Sequence, residues 1–262
     1  MRKLGLTMLL IGALSFTALG CGNNEATDTD KSKGEQMETI KIGTDAAYPP
    51  FEKQEGNGDI TGFDIEVLDA IAKASGLEYT IENTGWDPLF YGIDNGKIDA
   101  GISAITITDE RKEKYDFTEP YFEAKQVILL PKDSTVTSLK GLEGKNIGVQ
   151  SATTGEVVVQ QAFGKTYENL KGYDDTPSAI EDLKLGRLDA VVADNGVLLE
   201  YAKKLGSDKF KVIEDASFEP EYYGIITKKG NTQLLDKLNE GLKKIKEDGT
   251  YDKIYAKYFG AE

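Results

Sequence analysis

Histidine is absent from the 262 residues, and cysteine occurs once, at Cys21. Without histidine the chain has no Ser-His-Asp or Cys-His triad and no His-ligated metal centre. A single cysteine excludes an internal disulfide and a cysteine-based zinc site. Positive charge is scarce, with 31 Lys and Arg against 45 Asp and Glu and a formal net charge of −14. A sequence-independent grip on nucleic acid needs a basic face, so that balance argues against it. No cofactor and no metal site is expected. The length suits one large domain or two of roughly 100 residues, with enough core to fold without disulfides.

The chain begins with Arg2 and Lys3 after its first Met, then an uncharged, mostly apolar or small stretch over residues 4–19. The stretch is short for a membrane span and has the shape of a secretory signal, so residues 1–20 are expected to be a signal peptide. It ends in Ala18-Leu19-Gly20-Cys21. That pattern resembles a bacterial lipobox, in which Cys21 becomes the lipidated first residue. An ordinary signal peptide with an incidental cysteine is the alternative, and Ala18 is a less usual residue three places before the cysteine. Losing residues 1–20 removes two positive charges, leaving 29 against 45, or −16. Residues 22–38 are polar and without apolar periodicity, as in a flexible tether. Residues 21–38 are thus expected to be the lipidated cysteine and its tether, placing the protein outside the cell membrane.

Beyond residue 38, strand and helix patterns alternate. Thr39 to Gly43 reads as a strand leading to the turn-rich Tyr48-Pro49-Pro50-Phe51. Phe63, Val67, Leu68, Ile71 and Ala72 recur at helical spacing, and Gly76 supplies a stop. Glu78 to Glu82 is a short strand, Pro88 opens a short helix, and Ile98 to Ile105 reads as a buried strand. The scheme recurs with strands at Lys145 to Gln150 and Ala190 to Ala193, and helices at Gly155 to Ala162 and Pro177 to Leu185. Tyr222 to Ile226 reads as a strand, and Leu234 to Ile245 and Tyr251 to Tyr258 as helices. Interleaving of this kind implies an α/β fold with mainly parallel strands, whose ligands sit outside the strands' carboxyl ends. Asn95-Gly96-Lys97-Ile98-Asp99-Ala100 echoes Leu185-Gly186-Arg187-Leu188-Asp189-Ala190. Six residues can match by chance. The other explanation is two lobes of like construction, their matching strands running toward a shared face.

Four stretches carry a more specific signal: Gly43 to Glu52, Ile105 to Lys112, Gly148 to Gly155 and Asp189 to Asp194. In that order and behind a lipobox, they resemble the polar amino acid solute-binding proteins of ABC importers, which have the type II periplasmic-binding fold. The resemblance covers about residues 39–260. It implies two lobes, 39–123 plus 221–262 and 124–220, joined by a hinge of two crossing segments. It also implies a non-enzymatic receptor, lipid-anchored through Cys21 on the outer face of the cell membrane, in the periplasm if the organism has two membranes. Such a receptor binds a free L-amino acid and passes it to the permease subunits. A monomer is expected.

Arg111 can offer a planar fork to a carboxylate, although an Arg in Asp109-Glu110-Arg111-Lys112 is by itself an ordinary solvated charge on a helix start. The resemblance makes it the clamp for the ligand carboxylate. Asp194 follows the apolar Val191-Val192-Ala193 and could simply cap a helix; the resemblance pairs it with the α-ammonium. Ser103, Ala104 and Thr106 after the first strand, and Thr154 at a helix start, resemble the family's contacts to the same two groups. Turn-forming and capping roles are also open to them. Tyr48 and Trp86 could be core; the resemblance makes them walls around the ligand side chain. It places Asp45 and Gln150 at the far end of that side chain. A carboxylate there suits a cation, so arginine, lysine or histidine is favoured over glutamine or cystine, and acidic ligands are disfavoured. Two other classes stay open: a dehydratase-like enzyme, which needs a general acid in the cleft, and a sensing module, usually fused to further domains.

Overall fold

In the computed structural model, which describes residues 39–260, strands and helices alternate along the chain. β1 (Ile40–Thr44) leads into a small antiparallel sheet of β2 (Ala47–Tyr48), β3 (Glu52–Gln54) and β4 (Ile60–Thr61), then α1 (Phe63–Ser75). β5 (Tyr79–Asn83), α2 (Trp86–Asp94), β6 (Ala100–Gly101), α3 (Asp109–Lys114) and β7 (Tyr115–Phe117) come next. β8 (Phe122–Pro131) crosses to the second lobe, built from β9 (Ile147–Gln150), α4 (Thr154–Phe163), β10 (Leu170–Tyr173), α5 (Thr176–Lys184), β11 (Ala190–Asp194), α6 (Asn195–Leu205) and β12 (Phe210–Ile213). β13 (Pro220–Tyr223) crosses back to β14 (Ile226–Lys228), α7 (Thr232–Glu247) and α8 (Thr250–Phe259).

Two sheets result, one ordered β5-β1-β6-β14-β7 and the other β10-β9-β11-β8-β12 with β13 added on β8. The two-lobe α/β architecture is as expected, but the sheets are mixed rather than mainly parallel. Each has a parallel trio, β5-β1-β6 and β10-β9-β11. The antiparallel remainder comes from the crossing segments, which enter each sheet from the other lobe and so run against its first strands.

Burial follows the sequence periodicity. Phe63, Val67, Leu68 and Ile71 of α1 meet Leu234, Leu238, Leu242 and Ile245 of α7 in one core. Gly241 lets these helices approach, since a Cβ there would stand 2.5 Å from the Ile71 carbonyl oxygen. In the second lobe β8 is buried on both faces, as a central strand must be. Ile128 and Leu130 face one core, and Val127 and Leu129 the other.

The six-residue echo is structural. Gly96 and Gly186 both adopt left-handed backbone (φ +67° and +71°) just past the ends of α2 and α5, where a residue with a Cβ is disfavoured. Asp99 then accepts from the Lys41 backbone N–H at 2.8 Å, and Asp189 from the Asn146 N–H at 2.8 Å. In both lobes the aspartate ties the incoming strand to its parallel neighbour, β1 or β9.

Three local expectations change. The stretch Ile98–Ile105 is a strand only at Ala100–Gly101, because the chain turns at Ala104, with φ of +47°. α2 begins at Trp86, not Pro88, so Trp86 is its first residue; Pro88 sits in the first turn, where a missing N–H costs nothing. Tyr222–Ile226 is split at Gly224, where the chain leaves β8 for the first sheet. Residues 1–38, including the expected signal and Cys21, lie outside the described residues.

Candidate functional site

Strand ends from both lobes meet at one cavity. Asp45, Tyr48, Trp86, Ser103, Ala104, Thr106 and Arg111 line it from the first lobe, and Gln150, Thr154 and Asp194 from the second. All ten sequence-derived candidates are thus brought together. The space left among them is about 20 Å³, roughly room for one water. The lobes are closed, and the polar groups of the site are turned onto one another.

Arg111 lies one turn into α3, whose N-cap Thr108 accepts the Arg111 backbone N–H at 3.2 Å. The guanidinium donates to the Thr106 carbonyl at 2.9 Å and, across the cleft, to the Ala152 carbonyl at 3.3 Å. It stands 5.2 Å from the centroid of the Trp86 ring and 5.7 Å from that of Phe90, within cation–π range. The Arg111 charge is therefore held in the cleft. Trp86 also donates from Nε1 to the Ala152 carbonyl at 3.2 Å. Ala152 and Ala104 are the two non-glycine residues with positive φ among the described residues, +58° and +47°. Each such residue costs about 1–2 kcal/mol, and both lie in loops that border the cavity.

Asp194, 5% exposed, occupies the N-cap position of α6, yet its side chain makes no capping bond. It points into the cleft instead. Tyr48 donates to its Oδ2 at 2.7 Å from the other lobe, and Gln126 donates to its Oδ1. Burial, then the like charge of Glu221, pushes the Asp194 carboxyl up to about 7. Asp45, 7% exposed, accepts from Gln150 Nε2 at 2.8 Å, and Thr176 in turn donates to Gln150 Oε1 at 3.1 Å. Burial raises the Asp45 carboxyl, and the Gln150 bond counters part of that rise. Among the described residues lining the cavity, Arg111 is the only cation.

A second pair of acids supports the first-lobe loop from behind. Ser103 Oγ accepts from the Asp45 backbone N–H at 3.0 Å and donates to Glu52 Oε1 at 2.9 Å. Asp64 Oδ2 accepts from the Ala104 N–H at 2.8 Å and from the Tyr121 hydroxyl at 2.6 Å. Glu52 and Asp64 are both fully buried. Burial, then the Asp64 charge, holds the Glu52 carboxyl well above its usual range, while Asp64 is pushed up to about 6, chiefly by burial. The pair therefore keeps a proton in the native state, since two adjacent buried carboxylates cannot both ionise cheaply.

Gln126, Glu221, Glu52 and Asp64 are not among the candidates read from the sequence. Asp64 carries a signal, a carboxylate beside Phe63 on the apolar face of a helix. Gln126, between Lys125 and the apolar residues 127–130, carries none, and neither does Glu221.

Two mixed sheets whose strand ends face one closed cavity, with one guanidinium and two buried carboxylates lining it, define a solute-binding protein. The chain belongs to the bacterial extracellular solute-binding proteins, family 3, which it matches over residues 40–261. It is 35% identical over 263 residues to the probable histidine-binding protein of Neisseria gonorrhoeae, covering 100% of this chain and 97% of that one. Among solved structures it resembles the arginine-, lysine-, histidine-binding protein ArtJ from Geobacillus stearothermophilus, with 48% identity and a TM-score of 0.83 over 86% of this chain and 96% of that one. It also resembles an ancestral arginine-binding protein bound to glutamine, with 42% identity and a TM-score of 0.79 over 85% of this chain and 98% of the other.

Proposed function

We propose that this chain captures a free L-amino acid between its lobes and delivers it to the transmembrane subunits of an ABC importer, with arginine, lysine or histidine favoured. The observation that carries this reading is the placement of Arg111 and Asp194 on opposite lobes around one cavity. A zwitterion has one charge for each, so it binds the closed form better than either lobe alone, as ligand-driven closure requires. Those two charges leave Asp45 over. A cationic side chain would meet it, whereas an acidic one would face its like charge. The relatives named for histidine, or for arginine, lysine and histidine, point the same way. Glutamine is the second reading, because the Gln150–Asp45 pair also suits an amide and one neighbour was solved with glutamine bound.

In this proposal the lobes are residues 39–123 plus 221–262 and residues 124–220, with β8 and β13 as the hinge. The protein works as a monomer outside the membrane, held by lipid on Cys21, and turns nothing over. No helix of the described residues is long and apolar enough to cross a membrane. Calorimetric titration with each amino acid tests the binding reading. Turnover of a bound compound would replace it with the enzyme alternative.

A further inference from the structure

We propose that Glu221 is a second carboxylate for the ligand's α-ammonium, delivered from the hinge. The inference rests on the amino acid reading above and extends it to a residue outside the ten candidates. The two crossing strands pair antiparallel, with Glu221 opposite Ala124, which sets Glu221 diagonally across from Gln126. Gln126 Nε2 is shared, donating to Asp194 Oδ1 and, at 3.3 Å, to Glu221 Oε1. Two carboxylates thus converge on one neutral amide. Among the described residues neither Asp194 nor Glu221 belongs to an ion pair.

The two oxygens of Glu221 differ. Oε2 accepts from the Thr106 and Thr154 hydroxyls, both at 2.8 Å, one from each lobe. Oε1 has only the long contact from Gln126, the amide that also donates to Asp194, and keeps acceptor capacity. An amide cannot neutralise two carboxylates, the buried Asp194 and the half-buried Glu221, and the like charge of Glu221 helps hold the Asp194 carboxyl near 7. A primary ammonium has three donors and no acceptor, so it can serve both carboxylates at once. The Oε2 bonds alone would suit a latch that merely ties the lobes to the hinge. Glu221 is also the first of the acids favouring the Arg111 charge. Those roles would affect any ligand, whereas a contact to the ammonium affects only ligands that have one.

The test is competition calorimetry on the full chain in detergent, with L-arginine and with 5-guanidinopentanoate, which is arginine without its α-amino group. Glu221→Gln is expected to weaken arginine at least tenfold and to change the analogue by less than twofold. Equal weakening of both would overturn the proposal in favour of a latch or a partner of Arg111. Unchanged arginine binding would overturn it outright. Should Glu221→Gln fail to fold by thermal melt, Glu221→Asp keeps the charge but withdraws it by one methylene, and the same selective loss for arginine is expected. Silence of the wild-type chain toward all twenty amino acids is a different failure, that of the amino acid reading itself.

Discussion

After β6 the first lobe turns through Ser103 and a left-handed Ala104 before reaching α3 and Arg111, whereas after β11 the second lobe passes straight into α6 at Asp194. The approach is the same in both: helix, left-handed glycine, and an aspartate tying the new strand to its parallel neighbour. The turns beyond the two strands differ in length and in the charge they deliver. The longer first-lobe turn presents a cation and needs bracing from behind, supplied by Glu52, Asp64 and Tyr121. The shorter second-lobe turn presents an anion whose partners, Tyr48 and Gln126, come from the opposite lobe and the hinge. In the proposed function, like construction with opposite charges makes the two halves of a receptor for a molecule that carries both.

Removing the cation from this pair has the largest expected effect. Arg111→Ala leaves a ligand carboxylate without its fork and should cost about 3 kcal/mol or more, seen as loss of calorimetric binding for every amino acid rather than a change of preference. Removing the anion comes next. Asp194→Asn should weaken all amino acids about 100-fold, a cost of about 2–3 kcal/mol. It should also remove a pH dependence. In the ligand-free closed form Asp194 takes up a proton as pH falls through about 7, while the ammonium-bound form needs it ionised. Wild-type affinity should therefore rise with pH up to about 7, by at most tenfold per unit, and level off above. A flat wild-type profile from about pH 5.5 to 8.5 would break this assignment.

Asp45→Asn addresses specificity rather than capture. It should weaken arginine by about tenfold, or about 1.4 kcal/mol, and glutamine by much less; equal losses would remove Asp45 as the reader of positive charge. The smallest effect concerns the brace. Glu52 and Asp64 hold protons in the native state that the unfolded chain has released above about pH 4. Their stabilisation is fully present below that pH and is lost as pH rises through the native values, about 6 for Asp64 and higher for Glu52. Glu52→Gln offers Asp64 a donor without a titrating proton, so its melting temperature should fall less between about pH 5 and 9 than that of the wild type.

The contrast between the lobes also separates what the residues reveal from what only the fold does. The repeated helix-glycine-strand unit is legible because its turn, its tying aspartate and its apolar strand are local. Arg111 and Asp194 are legible as members of short motifs at the ends of those units. Gln126 and Glu221 are not, because their meaning depends on the pairing of β8 with β13, which joins residues almost a hundred positions apart. The antiparallel flanks of both sheets are hidden for the same reason. Glu52 closes a recognisable motif but has no visible role there, since only the fold sets it against Asp64 and Ser103.

In the proposed mechanism one ligand supplies a charge to each lobe. The most direct test is calorimetric titration of the ligand-stripped full chain, in detergent, against all twenty amino acids. Binding of arginine, lysine or histidine with glutamine weak or silent is the expected result, and the Arg111 clamp predicts loss of that binding when the α-carboxylate is removed, as in agmatine. Silence of all twenty from verified folded protein, or agmatine bound as tightly as arginine, would contradict the account.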